Sequence, residues 1–246
     1  MTTTPQRRSG RLRALHEKFV VQVRPLPAAA RRNLYIWAGA LAVVGAVFFV
    51  VILTNVLQHD DLSIIDAPIE HWIDSIRTPS LTTAMIVLAI VFGPIGLPII
   101  ILVVIVAWTI AAKHAWRPLL LAGGTLTGVI IVQIVTRLVG RHRPPSNLML
   151  FGTDSTFSFP SGHVLGACDF LLILTYLVYS RRKSTRTAVL AFVVAAILIF
   201  AAAFSRVYLG YHWATDALGS MALSLVILGA VIALDTRRTV RVPGHT

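Results

Sequence analysis

LYIWAGALAVVGAVFFVVILTNVL, Leu34 to Leu57, is a run of 24 residues without one charged side chain. Wound as an α-helix at about 1.5 Å per residue it spans about 36 Å, enough to cross a hydrocarbon core of about 30 Å. Within that core only a helix or a closed barrel satisfies its own backbone, so this run decides the fold. Comparable runs follow from about Ile95 to Ala112, Pro118 to Val139, Gly162 to Tyr179, Thr187 to Val207 and Trp213 to Asp235. The expected fold is all-α, an integral membrane bundle of six transmembrane helices. One domain, residues 34–235, lies between a basic arm, 1–33, and a tail, 236–246. The whole chain of 246 residues is 56% hydrophobic, with mean hydropathy +0.78.

Two segments depart from plain spans. Residues 81–112 are apolar but broken by Gly93-Pro94 and Pro98, which excludes one straight helix. A half-buried segment to Phe92, then a span from Ile95, is expected. Between Asp60 and Arg77, Leu62, Ile65, Ile69, Trp72, Ile73 and Ile76 recur at helical spacing among acidic residues. That pattern predicts a short amphipathic helix at the interface.

The net charge of +12 reads as topology, with no nucleic-acid partner. The N-terminus through Arg32, Lys113 with Arg117, the loop with Arg181, Arg182, Lys183 and Arg186, and the tail from Arg237 hold 17 of the 22 basic residues. Every second loop is therefore basic. Both termini are expected in the cytoplasm and the other loops outside. The N-terminal arm also favours anionic membrane lipid, by about 1 kcal/mol per basic residue near the surface. The first span is too long for the apolar part of a signal peptide and reads as an uncleaved anchor. The lone Cys168 reads as a small buried hydrophobe, and the five tryptophans fall near span ends as an aromatic belt.

Three polar clusters interrupt the apolar background on the outward side. They are Gly140-Arg141-His142-Arg143-Pro144-Pro145, Phe159-Pro160-Ser161-Gly162-His163, and Ser205-Arg206 followed by His212 and Asp216. Arg143 and Arg206 offer planar forks suited to phosphate oxygens. Ser161 and Gly162 open a helix, whose unpaired N–H groups favour an anion. His212 and Asp216, four apart, share one helix face, and a carboxylate on one ring nitrogen leaves the other as a nucleophile. His163 is a second imidazole, available as acid and then base. Together these groups suit phosphoryl transfer. No cluster with divalent-metal spacing accompanies them, so neither a metal nor another cofactor is expected.

At these residues the chain resembles the type-2 phosphatidic acid phosphatase family, lipid phosphatases that share their site with vanadium haloperoxidases. The family pattern is Lys-x6-Arg-Pro, Pro-Ser-Gly-His and Ser-Arg-x5-His-x3-Asp. The second and third match throughout, at Pro160 to His163 and at Ser205, Arg206, His212 and Asp216; the first matches only at Arg143 and Pro144. The family lysine falls on Thr136. Either the neighbouring Arg137 replaces it, or the site has one cation fewer; one residue turns the helix by about 100°.

The resemblance implies that His212 attacks phosphorus and Asp216 orients it. His163 then protonates the leaving oxygen, while Arg143, Arg206, Ser161 and Gly162 hold the phosphate oxygens. The expected substrate is a lipid phosphate at the outer face of a plasma membrane, a polyprenyl diphosphate first. Phosphatidic acid and phosphatidylglycerol phosphate are the alternatives. Richness in Ala, Val and Arg with only three lysines suggests a bacterial source. A lipid phosphotransferase, a haloperoxidase and a non-enzymatic transporter are the rival readings. Within the first cluster, His142 reads as a solvated loop residue and Arg141 as a contact to substrate or headgroup. Asp169, inside the fourth span, is either bonded to a nearby hydroxyl or placed in the substrate cleft.

Overall fold

The computed structural model describes residues 22–23, 27–58, 63–112, 115–180 and 184–240. The expectations placed on His59, Asp60, Asp61, Leu62, Lys113, Arg181, Arg182, Lys183, Arg241 and most of the N-terminal arm lie outside these residues. Eight α-helices make up the described chain: α1 (Ala28–Gln58), α2 (Asp66–Ser75), α3 (Pro79–Val91), α4 (Gly96–Ala112), α5 (Trp116–Val139), α6 (Gly162–Tyr179), α7 (Thr185–Tyr208) and α8 (Ala214–Arg238). Two dipeptides, Gln22–Val23 and Thr239–Val240, pair as a minimal parallel ladder.

Local chemistry sets the boundaries. Thr78 and Ser184 cap α3 and α7, their hydroxyls accepting the N–H groups of Leu81 and Thr187. Gly140 ends α5 in the left-handed conformation (φ 63°), its N–H bonded to the Thr136 carbonyl. Five helices, α1 and α5 to α8, are each long and apolar enough to cross a membrane. The sixth span differs from expectation. Helix α4 has 17 residues, and it meets that test only together with α3, to which it joins with a bend of 49°. The bend falls where Pro94 lacks an N–H, and Gly93 tightens the end of α3 by bonding Ile90. Pro98 sits in the first turn of α4, where the lost donor has no partner anyway.

Helices α6 and α8 form the centre. Over their most apolar stretches 56% and 61% of residues are buried, against 17% in α1 and 22% in α7, whose outer faces meet lipid. Helix α1 runs antiparallel along α8. A Cβ on Gly45 would come within 2.6 Å of the Ala222 carbonyl oxygen, and one on Gly229 within 2.6 Å of that of Ala38. The two backbones therefore approach through glycine notches, which raises the dispersion contact available inside a bilayer.

The two ends of the bundle carry different chemistry. At one end Arg117 of α5 pairs with Asp235 of α8 at 3.1 Å and donates to the Leu177 carbonyl in the last turn of α6 and to Ser180 just beyond it. Tyr176 donates to the same Asp235. These contacts gather the helix ends flanked by the basic segments. The three polar motifs lie at the opposite end, under α2. That helix is not a free interfacial raft. Ile73 is buried against Met85, Ala89, Tyr208 and Leu209, while Trp72 stays exposed. Deeper in the bundle, Asp169 of α6 accepts a hydrogen bond from Ser224 of α8 at 2.6 Å, the hydroxyl-bonded arrangement of its two readings.

Candidate active site

The site is built where α6 and α8 begin. Ser220 ties the two starts together, its hydroxyl lying 3.0 Å from the Ser161 carbonyl and 2.9 Å from that of Asp216. The turn before α8 presents His212, which is 3% exposed. Its Nδ1 faces the Ser158 carbonyl at 2.9 Å and Asp216 Oδ2 at 3.4 Å. Both are acceptors, so Nδ1 carries the proton and Nε2 holds a lone pair. Arg143 Nη1 lies 3.2 Å from that Nε2 and donates to it. Burial pushes the His212 pKa down to about 4, against the pull of Asp216, so the ring stays neutral near pH 7. A buried, neutral, tautomer-fixed imidazole is a nucleophile in waiting.

Anion-binding groups surround this nitrogen. Gly140 turns the chain out of α5 so that Arg143 reaches across the site. Arg143 donates to the carbonyls of Tyr211 (2.7 Å) and Thr156 (3.0 Å) and to the Thr156 hydroxyl. Its second terminal nitrogen pairs with Asp154 at 2.9 Å. Arg206, at the end of α7, is 5% exposed and stacks on the Tyr211 ring at 4.3 Å. Among the described residues nothing accepts from Arg206 Nε, and Ser161 Oγ has no partner either. Buried donors left open are costly unless a ligand completes them. Gly162 is exposed at the start of α6, its amide unused by the helix. His163 follows it, half-buried, within electrostatic reach of Arg206, His212 and Arg143. His163, His212, Arg143 and Arg206 thus lie within electrostatic reach of one another, beside the helix start that Ser161 and Gly162 form.

The comparisons match this arrangement. A solved structure, described as the first transmembrane PAP2 type phosphatidylglycerolphosphate phosphatase from Bacillus subtilis, superposes with TM-score 0.71 at 25% identity, covering 80% of this chain and 96% of that one. Phosphatidylglycerophosphatase B of Bacillus subtilis (strain 168) is 28% identical over 138 residues, 56% of this chain and 67% of the relative. The profile of the PAP2 superfamily matches residues 117–239, half of the chain. The chain belongs to the PAP2 superfamily. It is therefore a multi-pass membrane enzyme of phosphate-ester hydrolysis.

Within this PAP2 chain one expectation needs correction. Arg137 is exposed and donates to the Gln133 carbonyl of its own helix, so it does not stand in for the family lysine. The 100° turn separating it from Thr136 carries it off the site-facing side. Arg141 is held by Asp66, Thr215 and Asp216 and also lines a surface pocket with Val56, Leu57, His142 and Trp213. His142 is exposed, its carbonyl accepting from Ser158 and Trp213.

Three groups escaped the reading of the sequence. The Ser158 carbonyl is the nearer partner of His212 Nδ1, and a main-chain acceptor leaves no residue-type signal. Asp154 closes on Arg143. Burial pushes its carboxyl up, but the Thr156 amide and hydroxyl and the Arg143 charge outweigh that and hold it below the usual range. Asp66 sits buried, 4% exposed, some 150 positions before its partner Thr215. Its place in an acidic, amphipathic stretch marked it as a surface residue.

Proposed function

We propose that this enzyme hydrolyses the phosphate monoester of a membrane lipid, phosphatidylglycerol phosphate foremost, through a phosphohistidine on His212. The observation that carries the reading is the His212 tautomer. Its Nε2 lone pair meets Arg143 at 3.2 Å, and Ser161 and Arg206 keep open donors. In the first step Nε2 bonds to phosphorus as the phosphorus–oxygen bond to the lipid breaks, and His163 gives its proton to the departing oxygen. In the second, His163 takes a proton from water, the new oxygen bonds to phosphorus, and the nitrogen–phosphorus bond breaks. Arg143, Arg206, Ser161 and the Gly162 amide hold the equatorial oxygens, the larger share of the acceleration in such chemistry. Asp216 stabilises the positive charge on the phosphorylated ring. No metal takes part.

The lipid preference differs from the polyprenyl diphosphate expected first. Two relatives named for phosphatidylglycerol phosphate, one of them matching over 80% of this chain, support the monoester. The alternation of basic flanks supports a cytoplasmic basic end and an active site facing outward.

The test is phosphate release by purified protein in detergent with EDTA present. The panel is phosphatidylglycerol phosphate, phosphatidic acid and undecaprenyl diphosphate, with His212→Ala as control. The expected result is release that survives EDTA, is fastest on phosphatidylglycerol phosphate and vanishes in the variant. Release lost on chelation, or undiminished in His212→Ala, overturns the mechanism; preference for the diphosphate overturns the substrate.

A further inference from the structure

On the Nδ1 side of His212 lies a buried network that the steps above do not use. Asp66, the first residue of α2, accepts from the Thr215 amide at 3.0 Å through Oδ1. Its Oδ2 accepts from the Thr215 hydroxyl at 2.6 Å and from Arg141 Nη2 at 2.7 Å. Arg141 Nη1 donates to the Thr215 hydroxyl at 2.7 Å and to Asp216 Oδ1 at 2.5 Å. The other Asp216 oxygen accepts the Trp213 amide and lies 3.4 Å from His212 Nδ1. Asp66 and Asp216 are at most 4% exposed, and the Arg141 side chain is 12% exposed.

The charges alternate along this line: negative at Asp66, positive at Arg141, negative at Asp216, then the imidazole. Asp216 is needed as an anion when the ring becomes positive on phosphorylation. A guanidinium directly behind it holds Asp216 ionised but offsets its field at the ring, the more so where water is excluded. Asp66 counters the guanidinium from its far side, so the line as a whole delivers one negative charge to His212. A helix anchor alone needs one hydrogen bond between α2 and α8. Here both carboxylate oxygens are used, and the line ends on the group that touches the nucleophile.

We propose that Asp66 is a positioning residue for phosphoryl transfer, countering the charge of Arg141 so that the negative field of Asp216 reaches His212. The assignment rests on the function proposed above. It does not follow from the family pattern, since α2 lies outside the matched residues 117–239.

The test measures kcat and KM for wild type, Asp66→Asn, Arg141→Gln and the double variant. Two substrates are used, phosphatidylglycerol phosphate and the soluble ester p-nitrophenyl phosphate. Asp66→Asn should lower kcat about tenfold with KM within about twofold, since the loss falls on the charged intermediate. The double variant should be at least about threefold faster than Asp66→Asn, because removing Arg141 frees Asp216 again. A purely structural role predicts the reverse, two lost contacts being worse than one. The idea is overturned by Asp66→Asn turning over like wild type, or by a double variant no faster than the single. Should Asp66→Asn not elute as a single folded species, Thr215→Val is read instead. A kcat about threefold lower supports the proposal, and an unchanged one overturns it. Wild type active on the soluble ester but not on the lipid counts against the lipid reading alone, and the variant comparison then proceeds on the ester.

Discussion

His212 illustrates how much one residue's surroundings decide. In water its ring titrates at about 6.5; buried here it does so at about 4. A depressed value means that the neutral, nucleophilic form persists as pH falls. The acid limb of kcat/KM is therefore expected well below pH 6.5, near 4, in a pH–rate profile. The charged groups facing the ring are Asp216 on one side and Arg143 and Arg206 on the other. Removing His163 should lower kcat by about 10²–10⁴, the usual range for a lost general acid–base. Arg137→Ala, by contrast, should leave kcat/KM within about twofold of wild type, since its only described contact is to its own helix. The residues that touch the anion site were legible in the sequence because each is a polar side chain amid apolar runs. Ser158, which acts through its carbonyl, and Asp66, whose partner lies far along the chain, carry no such mark.

Among the elements, the end of α5 shows why a turn matters to chemistry. Gly140 holds φ 63°, a conformation that costs an L-residue roughly 1–2 kcal/mol. The three residues after it place Arg141 behind the nucleophile and Arg143 in front. Gly140→Ala is thus expected to lower the thermal midpoint in detergent and to cut kcat/KM, because both arginines start from a shifted backbone. The helices themselves were readable from apolar run length, α1, α5, α6, α7 and α8 to within a few residues at most ends. The break between α3 and α4 was legible too, in Gly93-Pro94, but a whole span was expected in α4, whose 17 residues meet the length test only with α3. Helix α2 was foreseen as amphipathic, but periodicity cannot say whether an apolar face meets lipid or, as here, the ends of α3 and α7.

For the molecule as a whole, the catalytic end and the basic end are built on different devices. The first is a web of hydrogen bonds around two helix starts. The second is the buried pair of Arg117 and Asp235. Removing the acid from a buried pair uncovers a desolvated charge, at a cost of about 3–5 kcal/mol. Asp235→Ala should therefore lower the thermal midpoint markedly, while KM measured on the folded fraction stays near wild type, because the pair lies at the far end of the bundle.

The glycine notches between α1 and α8 carry a consequence for how the enzyme is made. Among the described helices α1 leaves the ribosome first and α8 last. At roughly 5–20 residues per second, the notch at Gly45 waits about 10–40 s for the segment that fills it. Throughout that interval the nascent chain holds a finished groove and no nucleophile. The α1–α8 seam thus closes late, and a product that stops short of Ala222 leaves the notch at Gly45 unfilled.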